Sequence, residues 1–291
     1  SNTFEQIGIG RTNKNVLEVS STPPLNLESR IKYLISYPHG CIEQTVSSSF
    51  PQLYLGRFTK IDNSQKEQID RNILASLNRI KKFQTATGGF AYWPGELTEA
   101  NDWGTNYAGD FMLRAKAKGY KLPVGMLNGW KRYQRGRANS WNRSSVDHFF
   151  VAQAELTQAY RLYTLALAGD PLLSAMNRMR ENTKTAKSAM LRLAAAYQLA
   201  GKPEIAKGIV AKIRYENPSY TRSAYAYTYG SSLRDDAMVL ETYALVGDKL
   251  NGKEFFDKIV QKMGSRNWYS TQTTAFSLIA ISEFIGGDDL K

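Results

Sequence analysis

The sequence predicts an all-α protein built from helical hairpins, preceded by a short extended segment. Three observations point there. Several apolar stretches close on glycine, the residue that most readily leaves a helix through a left-handed conformation. They span 107–119, 159–169, 190–201, 238–247 and 274–286. Their cores, such as Tyr-Arg-Leu-Tyr-Thr-Leu-Ala-Leu-Ala and Leu-Arg-Leu-Ala-Ala-Ala-Tyr-Gln-Leu-Ala, are apolar around much of the helix circumference. Such helices are buried on more than one side. A polar loop follows each, at irregular spacing, as in a layered array of helix pairs. An open solenoid and a closed ring of inner and outer helices both fit. The spacing is too uneven for a tetratricopeptide array, although residues 194–210 have the form of one unit.

Ahead of the helices, residues 12–24 read as extended, with Val16, Leu17 and Val19 before Pro23-Pro24. A lone strand leaves its backbone groups unpaired, so its sheet is expected to come from another domain. The expected organisation is residues 1–24 as linker or strand from a neighbouring domain and 25–291 as the helical domain. The opening Ser1-Asn2-Thr3-Phe4 has no Met, so we read the chain as a piece of a larger one. Any targeting signal or lipid anchor is then expected outside it.

With 291 residues, 42% hydrophobic and 22% charged, the composition is that of a globular protein with a substantial core. No apolar run reaches membrane-spanning length, and no signal-peptide layout opens the chain. A single cysteine excludes an internal disulfide framework and a cysteine-based zinc site. Two histidines beside it make no transition-metal cluster, so neither metal nor cofactor is expected. The net charge of +12 favours anionic surfaces. Residues 130–143 interleave Lys131, Arg132, Arg135, Arg137 and Arg143 with Trp130 and Tyr133. Such a run is ordinarily a solvated loop or partner-domain contact, and no nucleic acid is expected.

The lone cysteine is the centre of the chemistry. Pro38 biases Tyr37 to an extended conformation, and Gly40 relieves crowding where the chain turns into a helix. Cys41 is then expected in the first helical turn, where free N–H groups and the macrodipole stabilise a thiolate. Gln44 follows one turn on, and side chains at i and i+3 are neighbours. The sulfur is a nucleophile and the Gln44 carboxamide an electrophile, and clamping them together makes the reaction intramolecular. The product is an internal thioester, with ammonia expelled. Its formation from an amide is uphill, so the fold must supply geometry, let ammonia leave and keep water out. A later attacking amine or hydroxyl would end as an amide or ester of Gln44. Glu43 is a candidate proton shuttle, although a solvent-facing place on the helix is the simpler reading.

The longer string Tyr37-Pro38-His39-Gly40-Cys41-Ile42-Glu43-Gln44-Thr45 closely resembles the thioester region of the α2-macroglobulin and complement superfamily in its bacterial form. The usual reading there is Tyr-Pro-Tyr-Gly-Cys-Leu-Glu-Gln-Thr. His39 and Ile42 depart from it, and neither is a bonding residue. Further stretches match in order: Gly88-Gly89-Phe90-Ala91-Tyr92-Trp93-Pro94-Gly95, then 107–120, 159–169, 175–178 and Tyr269-Ser270-Thr271-Gln272-Thr273-Thr274-Ala275. The resemblance runs from about Pro24 to the C-terminus. It implies an α/α toroid, the closed ring, within a larger protein. It also implies a single-use trap in place of a turnover enzyme. A protease cuts a bait segment, and the exposed thioester acylates lysine amines of that protease. Bacterial members guard the cell envelope, so a periplasmic or envelope location is implied. The tyrosine corresponding to Tyr37 helps shield the thioester there, with another domain completing the shield. The domain by itself is therefore expected to hold the bond weakly, with Cys41 free.

In complement-type relatives a histidine attacks the thioester first. His39 and His148 are the candidates, and for each a structural role is the simpler reading. Asp147 beside His148 makes no Ser-His-Asp arrangement. Glu96, Glu99 and Asp102 cluster after the aromatic turn, and helical toroids also host glycosidases, which need two opposed carboxyl groups. A carbohydrate-active toroid is thus the competing enzyme reading, and a non-covalent helical docking module the third. Asp235-Asp236 reads as a charge pair at a helix N-terminus.

Overall fold

The computed structural model describes residues 34–96, 98–216, 228–265 and 267–286. The expected strand at 12–24 and the proposed boundary at 24/25 lie outside them. In chain order the helices are α1 (Ile42–Ser49), α2 (Asn63–Lys81), α3 (Asp102–Ala117), α4 (Met126–Ser140), α5 (Val151–Leu167) and α6 (Leu173–Glu181). Then come α7 (Lys187–Leu199), α8 (Pro203–Val210), α9 (Ser232–Val246), α10 (Lys249–Gly264) and α11 (Thr271–Ile285). No strand occurs among the described residues; the one bridge pairs Gln84 with Phe90.

The helices close a ring. Packing runs from α1 to α3, α5, α7, α9 and α11, and α11 returns to α1. Around it, α2 lies on α1, α4 on α5, α6 and α8 on α7, and α10 on α9 and α11. This is the expected α/α toroid, with the closed form chosen over the open one. The division between layers is written in burial. α5 is buried without a break from Gln153 to Ala166, and α11 from Gln272 to Ser282. Outer helix α2 buries a single stripe, including Ile69, Ile73, Leu77 and Ile80, at helical spacing.

The five glycine-closed segments are inner helices α3, α5, α7, α9 and α11, each starting several residues before its apolar run. Charged residues on these helices pair with one another inside the ring. Arg114 of α3 bonds Asp110 at 2.7 Å, Glu283 of α11 at 2.9 Å and Glu241 of α9. Arg192 of α7 bonds Glu241 at 2.6 Å, and Tyr163 of α5 donates to the same carboxylate at 2.9 Å. Tyr54, in the short turns after α1, meets Arg114 at 2.8 Å. Inner helices α3, α5, α7, α9 and α11, with the turns that follow α1, thus contribute to one hydrogen-bonded hub. The Arg114 guanidinium is tolerable here because its Nε, Nη1 and Nη2 all donate within the hub.

One expectation is corrected. Residues 130–143 are mostly helix α4 and not a loop, and three of their arginines are engaged. Arg135 pairs with Asp170, Arg137 with Asp102 at 2.8 Å and Arg143 with Glu155 at 2.5 Å. Trp130 is buried and donates to the Thr105 carbonyl at 2.9 Å, so its indole belongs to the core.

Candidate functional site

The site stands at the head of α1. Gly40 turns the chain with φ +77°, and Cys41 follows as the N-cap residue, one position before the expected first turn. Cys41 is 2% exposed. It and Gln44 form a reciprocal capping box, in which the Cys41 side chain faces the Gln44 backbone N–H. The Cys41 N–H in turn donates to Gln44 Oε1 at 3.2 Å. The Gln44 carboxamide is therefore folded back over Gly40. A Cβ at position 40 would lie 1.9 Å from Oε1 and 2.9 Å from Cδ. Thiol and acyl carbon thus share one turn, the sulfur buried and Gln44 exposed.

α2 holds this turn from outside the ring. Arg79 Nη2 donates to the Gly40 carbonyl at 2.7 Å and its Nε to Thr45 Oγ1 at 3.1 Å. Its guanidinium packs over the Phe83 ring at 5.6 Å. The aromatic loop after α2 supplies the other wall. The Ile42 N–H donates to the Tyr92 carbonyl at 3.1 Å, which draws the loop onto the N-terminus of α1. Burial raises the Tyr92 phenol well above its usual value, and its hydrogen bond to the Cys41 sulfur raises it further. Tyr229 stacks on Tyr92 with centroids 5.6 Å apart, and its backbone is left-handed at φ 52°. It is the one non-glycine residue of positive φ among the described residues.

The auxiliary candidates are spread differently from expectation. Tyr37 is 66% exposed, and the phenols beside the thiol are Tyr92 and Tyr229. His39 is exposed, with Nδ1 3.0 Å from the Tyr37 carbonyl, a local contact within its own turn. Glu43 is half-buried and not fully solvated. It accepts from Ser47 Oγ at 2.7 Å, and Ser47 lies 3.2 Å from the buried Tyr107 hydroxyl. Burial raises the Glu43 carboxyl, partly offset by the Ser47 hydrogen bond. His148 opens a short turn just before α5, and its side chain lies outside the described residues. Asp147 caps that turn by accepting from the Phe149 N–H at 2.8 Å. Arg79, Tyr92 and Tyr229 escaped sequence reasoning. Tyr92 had a signal in its aromatic turn, whereas Arg79 and Tyr229 join the site only through the fold.

Beyond the Tyr92–Tyr229 pair lies a cleft of about 520 Å³, lined also by Glu96, Glu99, Asp102, Trp103 and Arg137. Here the carbohydrate reading meets its obstacle. Burial would raise the Asp102 carboxyl, but Arg161 and Arg137 hold it below the usual range, and Tyr133 donates to it as well. A carboxylate so locked cannot serve as the protonated acid that glycoside cleavage needs. Asp235 and Asp236 likewise turn to partners, Arg234 at 2.6 Å and Lys258 at 2.7 Å. No group of three or more potential metal ligands occurs among the described residues, and no described helix is long and apolar enough to cross a membrane.

The closed α/α ring, with a cysteine and a folded-back glutamine at its first inner helix, is similar to A-macroglobulin TED domains. Residues 13–121 match the family model described as the A-macroglobulin TED domain. The chain is a relative of the bacterial α2-macroglobulins. It is 29% identical to the Escherichia coli α2-macroglobulin over 269 residues, covering 88% of this chain and 16% of that protein. It superposes on the native E. coli α2-macroglobulin fragment from domain MG7 to the C-terminus with a TM-score of 0.72 at 26% identity. That match covers 91% of this chain and 43% of that one. The E. coli protein activated by porcine elastase matches with a TM-score of 0.70 at 26% identity, over 90% and 24% of the two chains. The chain thus spans about a sixth of the curated relative's length.

Proposed function

We propose that this chain is the acyl-storing domain of a protease trap located in the periplasm or cell envelope, with a thioester between Cys41 and Gln44. The observation that carries the reading is the Gln44 carboxamide folded onto the Gly40–Cys41 turn, its oxygen 3.2 Å from the Cys41 N–H. In bond formation the sulfur attacks Gln44 Cδ, the C–N bond breaks, and the thiol proton leaves with ammonia. In discharge a lysine amine attacks the same carbon, the C–S bond breaks, and the amine proton ends on Cys41 sulfur. Each domain is spent after one such event, so the activity is that of a trap and not of a turnover enzyme.

Glu43 is suited to carry the proton in either step. Its carboxyl is raised by burial, and it stands next to Gln44 and two residues from Cys41. Tyr92 and Tyr229 keep water from the sulfur, while the exposure of Gln44 leaves the acyl side to be covered by a neighbouring domain, the role that Tyr37 is placed to share. The solved E. coli relative is described as activated by porcine elastase, and a protease cut is the trigger we assign here. Residues 25–291 form the folded unit in this reading and 1–24 belong with the neighbour.

The test is uptake of radiolabelled methylamine by the full-length protein, in which a neighbouring domain covers Gln44. The expected result is label at Gln44, lost in Cys41→Ala. Absence of label from freshly prepared protein, or label that survives Cys41→Ala, defeats the proposal.

A further inference from the structure

The peptide unit between Gly40 and Cys41 is held at both ends by groups of different kinds. Its carbonyl accepts from Arg79 Nη2 at 2.7 Å, and its N–H donates to Gln44 Oε1 at 3.2 Å. We propose that this peptide is the oxyanion donor of the thioester chemistry and that Arg79 is the positioning residue that orients and polarises it. The inference rests on the acyl-storing function and deepens it.

The argument follows the charge. When sulfur attacks Gln44 Cδ, or an amine attacks it later, the C=O π electrons move onto Oε1. That oxygen is where negative charge develops in both directions, and a donor already aimed at it stabilises the transition state without reorganisation. The Cys41 N–H is that donor. A hydrogen bond to the carbonyl of the same peptide strengthens its N–H as a donor, since hydrogen bonds in series polarise one another. A guanidinium does this more strongly than a neutral partner. Arg79 is itself fixed twice more, by Thr45 Oγ1 at 3.1 Å and by the Phe83 ring. Thr45 Oγ1 also reaches the His39 carbonyl at 3.4 Å, so both peptides flanking Gly40 are tied down. The arrangement needs a residue at 40 with φ +77° and no Cβ, because a Cβ would occupy the space of Oε1. Arg79 also carries positive charge near the growing oxyanion while touching neither reacting atom.

The experiment compares the full-length protein that carries this chain with its Arg79→Met, Arg79→Lys and Arg71→Met variants, measuring the rate of radiolabelled methylamine uptake alongside urea denaturation. The expected result is a loss of at least tenfold in Arg79→Met, partial recovery in Arg79→Lys, and rescue of an Arg79→Ala variant by added ethylguanidinium. Arg71→Met, on the exposed face of the same helix and paired with Glu67, is expected to stay within threefold of the parent. A purely structural role predicts rates that follow stability across the variants, with no rescue by ethylguanidinium, and that result overturns the proposal. Parent protein that takes up label at the same rate as Arg79→Met also overturns it, leaving the acyl-storing function intact. Parent protein that takes up no label defeats both.

Discussion

Gly40 is the residue on which the site geometry turns. A methyl group there would collide with Gln44 Oε1 while the backbone keeps φ +77°, so the carboxamide must swing away from Cys41. Gly40→Ala is expected to abolish methylamine uptake and to cost about 1–3 kcal/mol in urea denaturation, the range for a side chain forced into left-handed backbone. Glu43 makes a different prediction. Its carboxyl is raised by burial, so the folded state binds its proton more tightly than the unfolded state does. Its contribution to stability is then fullest below the ordinary glutamate value of 4.5 and is lost as pH rises through the raised value. Glu43→Gln, which keeps an acceptor for Ser47, is expected to melt higher than the parent at neutral pH and equally at pH below 4.5. Melting temperatures measured across that range decide it. Equal melting at neutral pH would show that burial does not penalise the charge.

At the scale of the element, the sequence signal separated the two layers for a physical reason. Inner helices are covered on all sides, so their apolar residues run round the circumference, and glycine closure marks their ends. Those five segments were legible. The outer helices α2, α4, α6, α8 and α10 bury only a stripe. The 130–143 run reads as a basic loop because Lys131, Arg132, Arg135 and Arg137 interrupt its apolar residues, yet Trp130, Gln134 and Ala138 bury one face against the ring. Its fit is close. A Cβ at Gly109 of α3 would lie 2.4 Å from the Trp130 indole. Gly109→Ala therefore overpacks the α3–α4 seam and is expected to cost about 1–3 kcal/mol in urea denaturation. Gly109→Ala with Trp130→Phe, which removes the offending ring, is expected to recover part of it.

At the scale of the molecule, the ring is joined through its charged hub. Glu241 lies between Arg114 and Arg192, and although burial would raise its carboxyl, those guanidinium groups hold it well below the usual range. Its stabilisation is present above the ordinary value of 4.5 and is lost as pH falls through the lowered one. Glu241→Gln leaves two buried guanidinium groups short of charge. It is expected to destabilise by about 3–5 kcal/mol at neutral pH, the range for breaking a buried pair from one side. The deficit should shrink in acid, where the parent loses the same charge. A constant deficit between neutral pH and the acid transition would contradict the assignment.

Chain order alone determined what local covalent spacing controls: the helices buried all round, their glycine ends, and the placing of Cys41 and Gln44 on one turn, because positions three apart on a helix are neighbours whatever surrounds them. Closure of the ring, the clamp of Arg79 on the Gly40 carbonyl, the Tyr92–Tyr229 wall and the inward turn of Glu43 were decided only in three dimensions. Each joins residues far apart in the chain, or depends on which face of a helix is covered. Such contacts are set by how the layers pack, and no spacing along the sequence records them.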